Sequence, residues 1–151
     1  MIEVGSGNSS LVISSAIRLN EEVDSQTRCE YTIIDPYPGK VISGGVPEVT
    51  RLIKDRVEIM DIRFFDQLKE NDVLFIDSSH TVRIGGDVNF IILDVLPRLA
   101  PGVIVHFHDI SLPYDYSKVY FTNPIFRVFW MESYLLQAFL SQTTSLKFYW
   151  Q

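Results

Sequence analysis

The stretch Asp72-Val73-Leu74-Phe75-Ile76-Asp77 decides the fold of this chain, because it is the clearest strand in the sequence. Its four central residues are apolar on both faces, as a strand in the middle of a parallel sheet requires. Parallel neighbours are joined by crossover connections of about a dozen residues or more, which are usually helices. The stretch therefore predicts a chain in which short strands alternate with helices.

Both flanks of this strand follow the same alternation. Further strands are predicted where apolar runs end at turn residues, at 1–4, 31–35, 57–60, 102–109 and 146–150. Helices are predicted from near Ser9, from near Pro47, and over the segments 88–99 and 126–140. In the first helix, one face carries the apolar residues Val12, Ala16, Leu19 and Val23.

This pattern is typical of an α/β fold, which we predict to be a Rossmann-like three-layer α/β/α sandwich with a mostly parallel sheet. The length suits one domain that covers residues 1–151. The chain begins inside one predicted strand and ends inside another. We therefore expect a domain that is truncated at both ends, as in a fragment of a longer protein.

The charge and cysteine content exclude several classes of protein. The formal net charge is -6, whereas nucleic-acid-binding domains usually carry a basic stripe. No apolar run reaches the roughly 18 residues of a membrane span. The single cysteine, Cys29, cannot form an internal disulfide, which fits a reducing compartment. We expect a cytoplasmic protein with neither a nucleic-acid nor a membrane partner, and the sequence leaves open whether it forms a homo-oligomer.

A glycine turn lies between the first predicted strand and the first helix, in the stretch Glu3-Val4-Gly5-Ser6-Gly7-Asn8-Ser9. Glycines there let the backbone approach a ligand, and the helix start offers free N–H groups. Ser10 stands at the third glycine position of the dinucleotide fingerprint, so that fingerprint is not met. Asp35, which ends the second strand, could accept hydrogen bonds from both ribose hydroxyls of a nucleoside. The alternatives are a turn that binds nothing and a carboxylate that caps a turn.

Asp77 and His80 follow the central strand, and the carboxyl ends of such strands are where open α/β sheets bind ligands. Asp77 could hold a metal ion or the positive end of a cofactor. His80 could take a proton from a substrate hydroxyl. The alternative for His80 is a loop histidine that satisfies local backbone groups.

Two histidines and an aspartate end the next strand, in the stretch His106-Phe107-His108-Asp109. We expect His106 to be a packed, hydrogen-bonded core residue, and His108 or Asp109 to reach the crevice beside Asp77. Two carboxylates and one imidazole there could hold a divalent ion, with oxygen ligands favouring magnesium over zinc. The alternative is an aspartate that caps the following turn.

An aromatic loop, Leu112-Pro113-Tyr114-Asp115-Tyr116, follows this strand. It could overhang the pocket as a lid or supply substrate contacts. Alternatively, its tyrosines pack on the C-terminal helix.

The order of Glu3-x-Gly5-x-Gly7, then Asp35, then a hydrophobic strand that ends in Asp77 resembles class I S-adenosylmethionine-dependent methyltransferases. Three stretches resemble, more narrowly, methyltransferase family 24. They are Leu74-Phe75-Ile76-Asp77-Ser78-Ser79-His80, Pro101-Gly102-Val103-Ile104-Val105-His106-Phe107-His108-Asp109, and Trp130-Met131-Glu132-Ser133-Tyr134-Leu135-Leu136-Gln137-Ala138-Phe139-Leu140. The resemblance implies a sheet with strand order 3-2-1-4-5 and a sixth edge strand.

The same resemblance implies S-adenosylmethionine as the cofactor. The glycine turn would surround its methionine part, Asp35 would bind its ribose, and Asp61 would lie near its adenine. The implied cofactor-binding residues are Glu3, Gly5, Ser6, Gly7, Asn8, Asp35, Asp61 and Asp77. Related O-methyltransferases hold magnesium with an aspartate at the position of Asp77, which implies a metal site formed by Asp77, His108 and Asp109. His108 stands there in place of a second carboxylate found in some relatives.

The resemblance therefore implies methyl transfer to the hydroxyl of a small molecule or sugar. In this interpretation His80 is the base, and Asp77 and Asp109 position the hydroxyl directly or through an ion. One alternative is a metal-dependent hydrolase that uses the histidine and aspartate cluster. Another is a truncated, non-catalytic domain that serves as an interaction module, because an uncovered sheet edge can pair with another chain.

Overall fold

A five-stranded, all-parallel sheet forms the centre of the molecule in a computed structural model that describes residues 1–125 and 128–143. The strands are β1 Ile2–Val4, β2 Tyr31–Ile34, β3 Val49–Ile53, β4 Val73–Ile76 and β5 Ile104–Phe107. They lie in the order β3-β2-β1-β4-β5, so the predicted fold class and strand order are confirmed. The predicted sixth strand, at 146–150, lies outside the described residues.

Helices connect the strands, as parallel pairing requires. They are α1 Asn8–Val23, α2 Lys40–Ser43, α3 Asp87–Asn89, α4 Val119–Thr122 and α5 Glu132–Ser141. The α3 helix continues through a π-helical turn, Phe90–Val95, and a 3-10 turn, Leu96–Arg98. Two further 3-10 turns, Val57–Ile59 and Ile62–Gln67, lie between β3 and β4. None of the helices in the described part of the chain has both the length and the apolar character that crossing a membrane demands.

The third strand lies earlier in the chain than the sequence pattern predicts. Residues 57–60, the predicted strand, begin instead with a 3-10 turn from which Val57 fills the core. The predicted helix near Pro47 is also wrong, because β3 occupies Val49–Ile53. This segment is rich in β-branched residues, which favour strands. As the edge strand of the sheet, β3 exposes Arg51 to solvent. A charged residue among apolar ones is also typical of the solvated face of a helix, so the sequence pattern does not indicate a strand here.

The α5 helix is shorter than the predicted segment 126–140, since it begins at Glu132. Its first amide groups donate hydrogen bonds to the carbonyl of His80, from Met131 N at 3.0 Å and Glu132 N at 3.3 Å. A loop residue that lies far away in the sequence therefore fixes where the helix starts.

The main core lies on one face of the sheet, beneath α3. Ile2 and Val4 of β1 and Leu74 and Ile76 of β4 are buried there, and they pack with Phe65, Ile91 and Val95. The opposite face is covered over β1 and β2 by α1 and α2, where a second cluster contains Ile17, Tyr31, Ile33, Ile42 and Val46. The layers place the carboxyl ends of the strands, and the loops that follow them, at one edge of the sheet.

The apolar face of α1 that the sequence pattern indicates is exposed rather than packed on the sheet. Val12 is 69% exposed, and Leu19 and Val23 are also exposed. The buried face carries Ser10, Ser14 and Ile17 instead. Serine side chains are small enough to let the helix approach the sheet, and the Ser14 hydroxyl donates to the Glu48 carboxylate at 2.8 Å.

Candidate functional site at the carboxyl edge of the sheet

The loops that follow β1, β4 and β5 lie side by side because parallel pairing continues one residue beyond each strand. The amide of Gly5 donates to Ile34 O at 2.9 Å, and that of Asp77 donates to Val4 O at 2.8 Å. The amide of His108 donates to Ile76 O at 2.9 Å. The glycine turn, Asp77 and His108 are thereby placed next to one another at the edge, as the sequence predicts for ligand-binding loops.

Gly5 is where the glycine turn packs against the Asp77 loop. Its φ is +86°, and a Cβ built there would lie 1.8 Å from the carbonyl oxygen of Asp77. Gly7 differs, because its backbone is extended and a Cβ there would meet nothing within 4 Å. Gly5 is therefore required by the fold, whereas Gly7 borders open space beside the exposed first residue of α1, Asn8.

Glu3 lies beneath the glycine turn and is completely buried. One carboxylate oxygen accepts hydrogen bonds from Ser9 Oγ at 2.9 Å and Ser10 Oγ at 3.1 Å, and the other accepts one from the Tyr31 hydroxyl. Burial raises the pKa of Glu3 above its ordinary value of 4.5, although these three donors act in the opposite direction. The structure thus gives Glu3 partners inside the protein, and its contact with a cofactor stays a prediction.

Asp35 and Ser6 tie the glycine turn to the loop after β2. The Ser6 hydroxyl donates to one oxygen of the half-buried Asp35, and the backbone amide of Tyr37 donates to the other at 2.7 Å. These two predicted cofactor-binding residues are therefore in direct contact, which also orients the Asp35 carboxylate.

Asp61 is exposed and begins the second 3-10 turn between β3 and β4. Its carboxylate accepts hydrogen bonds from the backbone amide of Arg63 at 2.9 Å and from the Arg63 guanidinium. The guanidinium hydrogen bond lowers the pKa of Asp61 to about 2. The predicted proximity to adenine therefore concerns a carboxylate that is already paired with a neighbour.

Three predicted metal ligands come together at the edge. One donor atom each of Asp77, His108 and Asp109 can be chosen so that all lie within 4.8 Å of one another. Donors bound to one ion at about 2.1 Å are separated by at most about 4.2 Å, so small side-chain adjustments would suffice. Asp77 is half-buried and the other two are exposed, with His108 Nε2 at 3.6 Å from Asp109 Oδ1. This donor set fits a divalent cation.

His80 is buried between two carboxylates, with 6% of its surface exposed. Its Nδ1 lies 2.7 Å from Glu132 Oε2, and its Nε2 lies 3.4 Å from Asp77 Oδ1. The Trp130 ring packs against the imidazole with a centroid distance of 4.5 Å. Burial by itself lowers the pKa of His80, but the hydrogen bond and charge of Glu132, with the charges of Asp77 and Asp109, raise it on balance above 6.5.

Two of the site residues have an unusual backbone conformation. His80 and Asp109 have φ values of +55° and +56°, in the left-handed region that non-glycine residues seldom occupy. Such conformations cluster at functional sites. His80 and Asp109, which lie in the loops after β4 and β5, are thus held in place by the surrounding structure.

Glu132 is a site residue that the motifs do not indicate. It is 1% exposed and lies at the start of α5. The available signal is its spacing: Glu132, Leu136 and Leu140 share one helix face, so a carboxylate occupies a position on the apolar stripe. A glutamate in that position is rarely buried unless it is paired.

The aromatic loop packs on α5 through Tyr116, in agreement with one of the two predicted alternatives. The buried Tyr116 hydroxyl accepts a hydrogen bond from the amide of Ser133 at 3.1 Å, and its ring contacts Tyr134 with centroids 5.8 Å apart. Asp115 accepts a hydrogen bond from the Tyr134 hydroxyl. Tyr114, in contrast, is exposed and free of this packing role.

The prediction that His106 is a packed core histidine is wrong. Its side chain is exposed, and it stacks on Phe75 with a centroid distance of 4.6 Å. The cause is its sheet face, because Ile104 on the same side of β5 is also 54% exposed. Partial desolvation of the ring, together with the charge of His108, lowers the pKa of His106.

Comparison with known proteins identifies one family. The model of methyltransferase family 24, described as a methyltransferase domain, matches residues 2–110. This range includes the glycine turn, Asp35 and the cluster of Asp77, His108 and Asp109. No curated protein and no solved structure gives a significant match.

Proposed function

The chain belongs to the methyltransferase family whose model covers residues 2–110, and we propose that it moves a methyl group from S-adenosylmethionine to the hydroxyl of a small molecule or sugar. The observation that carries this proposal is the direct contact between Ser6 of the glycine turn and Asp35. This contact holds the glycine turn, which borders open space at Gly7, beside a carboxylate suited to ribose hydroxyls.

The proposed cofactor site extends along the edge from β2 to β4. Asp35 accepts hydrogen bonds from the ribose hydroxyls, and Ser6, Gly7 and Asn8 contact the methionine part. Gly5 and Glu3 shape the turn from below, through the close approach to Asp77 and the contacts with Ser9 and Ser10. Asp61 remains the proposed neighbour of the adenine, with its carboxylate held by Arg63.

Alignment of the acceptor is the main task of the remaining residues. The sulfonium of the bound cofactor supplies an electrophilic methyl group. Holding a nucleophile in line with such a group contributes up to about 7–11 kcal/mol in favourable cases. Removal of the hydroxyl proton adds about 10²–10⁴-fold. Asp77 is better placed than His80 to accept this proton, because 28% of its side chain is exposed while His80 behind it is buried.

This arrangement changes the role proposed for His80. A base must come within hydrogen-bonding reach of the proton that it removes. The Nε2 atom of His80 faces Asp77 at 3.4 Å. We therefore propose that His80 acts on the acceptor through Asp77 and is not itself in contact with the hydroxyl.

A divalent cation at Asp77, His108 and Asp109 is a further part of the proposal. If bound there, such an ion would polarise the acceptor hydroxyl and lower its pKa. Magnesium and manganese suit the oxygen ligands of Asp77 and Asp109, whereas the imidazole of His108 suits zinc, iron and nickel. Activity should therefore be measured with both magnesium and manganese, and after chelation.

The acceptor class is tested by transfer of a labelled methyl group from S-adenosylmethionine to a panel of phenols, sugars, amines and thiols. Each phenol and sugar is paired with an analogue in which the hydroxyl is replaced by hydrogen. We expect label in the hydroxyl compounds only, and a loss of about 10²-fold or more in Asp77→Asn if this carboxylate assists proton removal. Label in amine or thiol compounds instead would contradict O-methylation.

The two alternative functions make different predictions. A metal hydrolase that uses both histidines is disfavoured, because His106 does not join the cluster of Asp77, His108 and Asp109 in the described part of the chain. The observation in favour of a non-catalytic interaction module is the exposed apolar side of α1 at Val12 and Leu19. A folded chain that binds no cofactor would support that module, and pairing of copies in solution would be the next measurement.

A further inference from the structure

Three side chains form a line that runs from the interior to the carboxyl edge of the sheet. Glu132 Oε2 lies 2.7 Å from Nδ1 of His80, and Nε2 of the same ring lies 3.4 Å from Asp77 Oδ1. The two ring nitrogens point away from each other, so one imidazole bridges the two carboxylates. The methyl-transfer proposal uses Asp77 and His80, and it assigns no role to Glu132.

Burial increases steadily along the line. Asp77 is partly exposed to solvent, His80 is almost completely buried, and Glu132 is buried. Any influence of Glu132 on a ligand must therefore pass through His80 and Asp77. Direct contact between Glu132 and a substrate is excluded by its position.

The burial of Glu132 is not explained by stability. Removing a carboxylate from water is costly, and well-packed apolar residues in place of a buried ion pair are often neutral or stabilising. The Oε1 atom of Glu132 has no hydrogen-bond partner among residues 1–125 and 128–143. A buried carboxylate with one unsatisfied oxygen is a feature that calls for a functional explanation.

The ring of His80 is held from several sides. Trp130 packs against the imidazole at an interplanar angle of 43°, and the His80 carbonyl accepts hydrogen bonds from the first amides of α5, those of Met131 and Glu132. The same helix start therefore fixes both the backbone and the side chain of His80. A ring that is fixed in this way can transmit the position of Glu132 to Asp77.

We propose that Glu132 is a positioning residue, which orients the Asp77 carboxylate at the edge of the sheet through the imidazole of His80. The imidazole edge that faces Asp77 Oδ1 at 3.4 Å fixes the side on which this oxygen lies, so the second carboxylate oxygen is left to meet an acceptor hydroxyl or a cation. Partners of this outer kind hold ligating or reacting groups in the productive orientation. The inference rests on the proposed function, which gives Asp77 its role toward the acceptor.

The direct test measures the chemical shift of the Asp77 carboxyl carbon in isotope-labelled protein without cofactor. The variants are Glu132→Gln, His80→Asn and the double variant, with Tyr134→Phe as a control on the same helix. We expect Glu132→Gln to shift the Asp77 resonance when His80 is present and to leave it unchanged in the His80→Asn background. Tyr134→Phe, which removes the hydroxyl that contacts Asp115, should not shift it.

The proposed relay runs from Glu132 through His80 to Asp77. It would be overturned if Glu132→Gln left the Asp77 resonance unchanged, or if it shifted this resonance equally in the His80→Asn background. If Glu132→Gln does not fold, Glu132→Asp provides the same test, because the shorter side chain withdraws from Nδ1. With an identified acceptor, Glu132→Gln should lower kcat by about 10–100-fold at an unchanged KM for S-adenosylmethionine. The carbon shift requires no cofactor, so failure of the relay and failure of the methyltransferase proposal are distinguishable.

Discussion

Gly5 and Gly7 are two residues apart, but the fold makes different demands on them. Gly5 has a positive φ and faces the carbonyl of Asp77, so any side chain would enter the backbone of the neighbouring loop. Gly7 has an extended backbone that any residue adopts, and its Cβ position faces open space. The first glycine therefore holds the glycine turn and the Asp77 loop together, and the second leaves room for a ligand.

Gly5→Ala should destabilise the protein by roughly 2–4 kcal/mol, because it combines overpacking with an unfavourable φ. Gly7→Ala should change stability by less than about 1 kcal/mol. Urea unfolding of both variants measures the difference. Equal stabilities would mean that Gly5 does not approach Asp77 as described.

Glu3→Gln should alter the pH dependence of stability. The pKa of Glu3 is raised by burial above 4.5, so the folded protein binds a proton that the unfolded chain has released. Stability from this group is present at low pH and declines as pH rises from the ordinary value through the folded pKa. The permanently neutral Gln variant lacks this decline. The free energy of unfolding of the variant minus that of the wild type should therefore increase as pH rises above 4.5. A constant difference would contradict the shift.

At the scale of elements, the docking of α5 decides how the site is completed. Its first turn is bound by the His80 carbonyl and by the Tyr116 hydroxyl, which accepts the Ser133 amide. The apolar spacing of the sequence predicts a longer helix, because periodicity detects a buried face but not a terminus fixed by distant partners. The pattern also fails to predict β3, because the exposed Arg51 interrupts the apolar run by which a strand is recognised.

Tyr116→Phe should destabilise the protein by about 1–3 kcal/mol, because it leaves the buried amide of Ser133 without its acceptor. Tyr114→Phe is the matched control, since Tyr114 is 78% exposed, and it should stay within about 0.5 kcal/mol. Thermal unfolding provides the measurement. Equal effects of the two variants would show that α5 does not dock through Tyr116.

At the scale of the whole molecule, residues far apart in the sequence gather at the carboxyl edge of one sheet. The apolar strands and the polar residues that end them suffice to predict the sheet and the proximity of Asp77 to His108 and Asp109. They do not predict Glu132, since its partner His80 is 52 residues away. Nor do they predict which side of α1 is buried, because Ser10 and Ser14 pack on the sheet while Val12 faces solvent.

The most direct test of the account is calorimetric titration of S-adenosylhomocysteine into the wild type, Asp35→Ala and Asp94→Ala. Asp94 is an exposed aspartate in the π-helical turn that continues α3, and it serves as the control. We predict binding in the micromolar range, about −8 kcal/mol, which weakens roughly 10- to 100-fold in Asp35→Ala, through loss of a charged hydrogen-bond acceptor, and is unchanged in Asp94→Ala. A folded wild type that binds no S-adenosylhomocysteine, or an Asp35→Ala variant that binds it equally well, would contradict the proposed cofactor site.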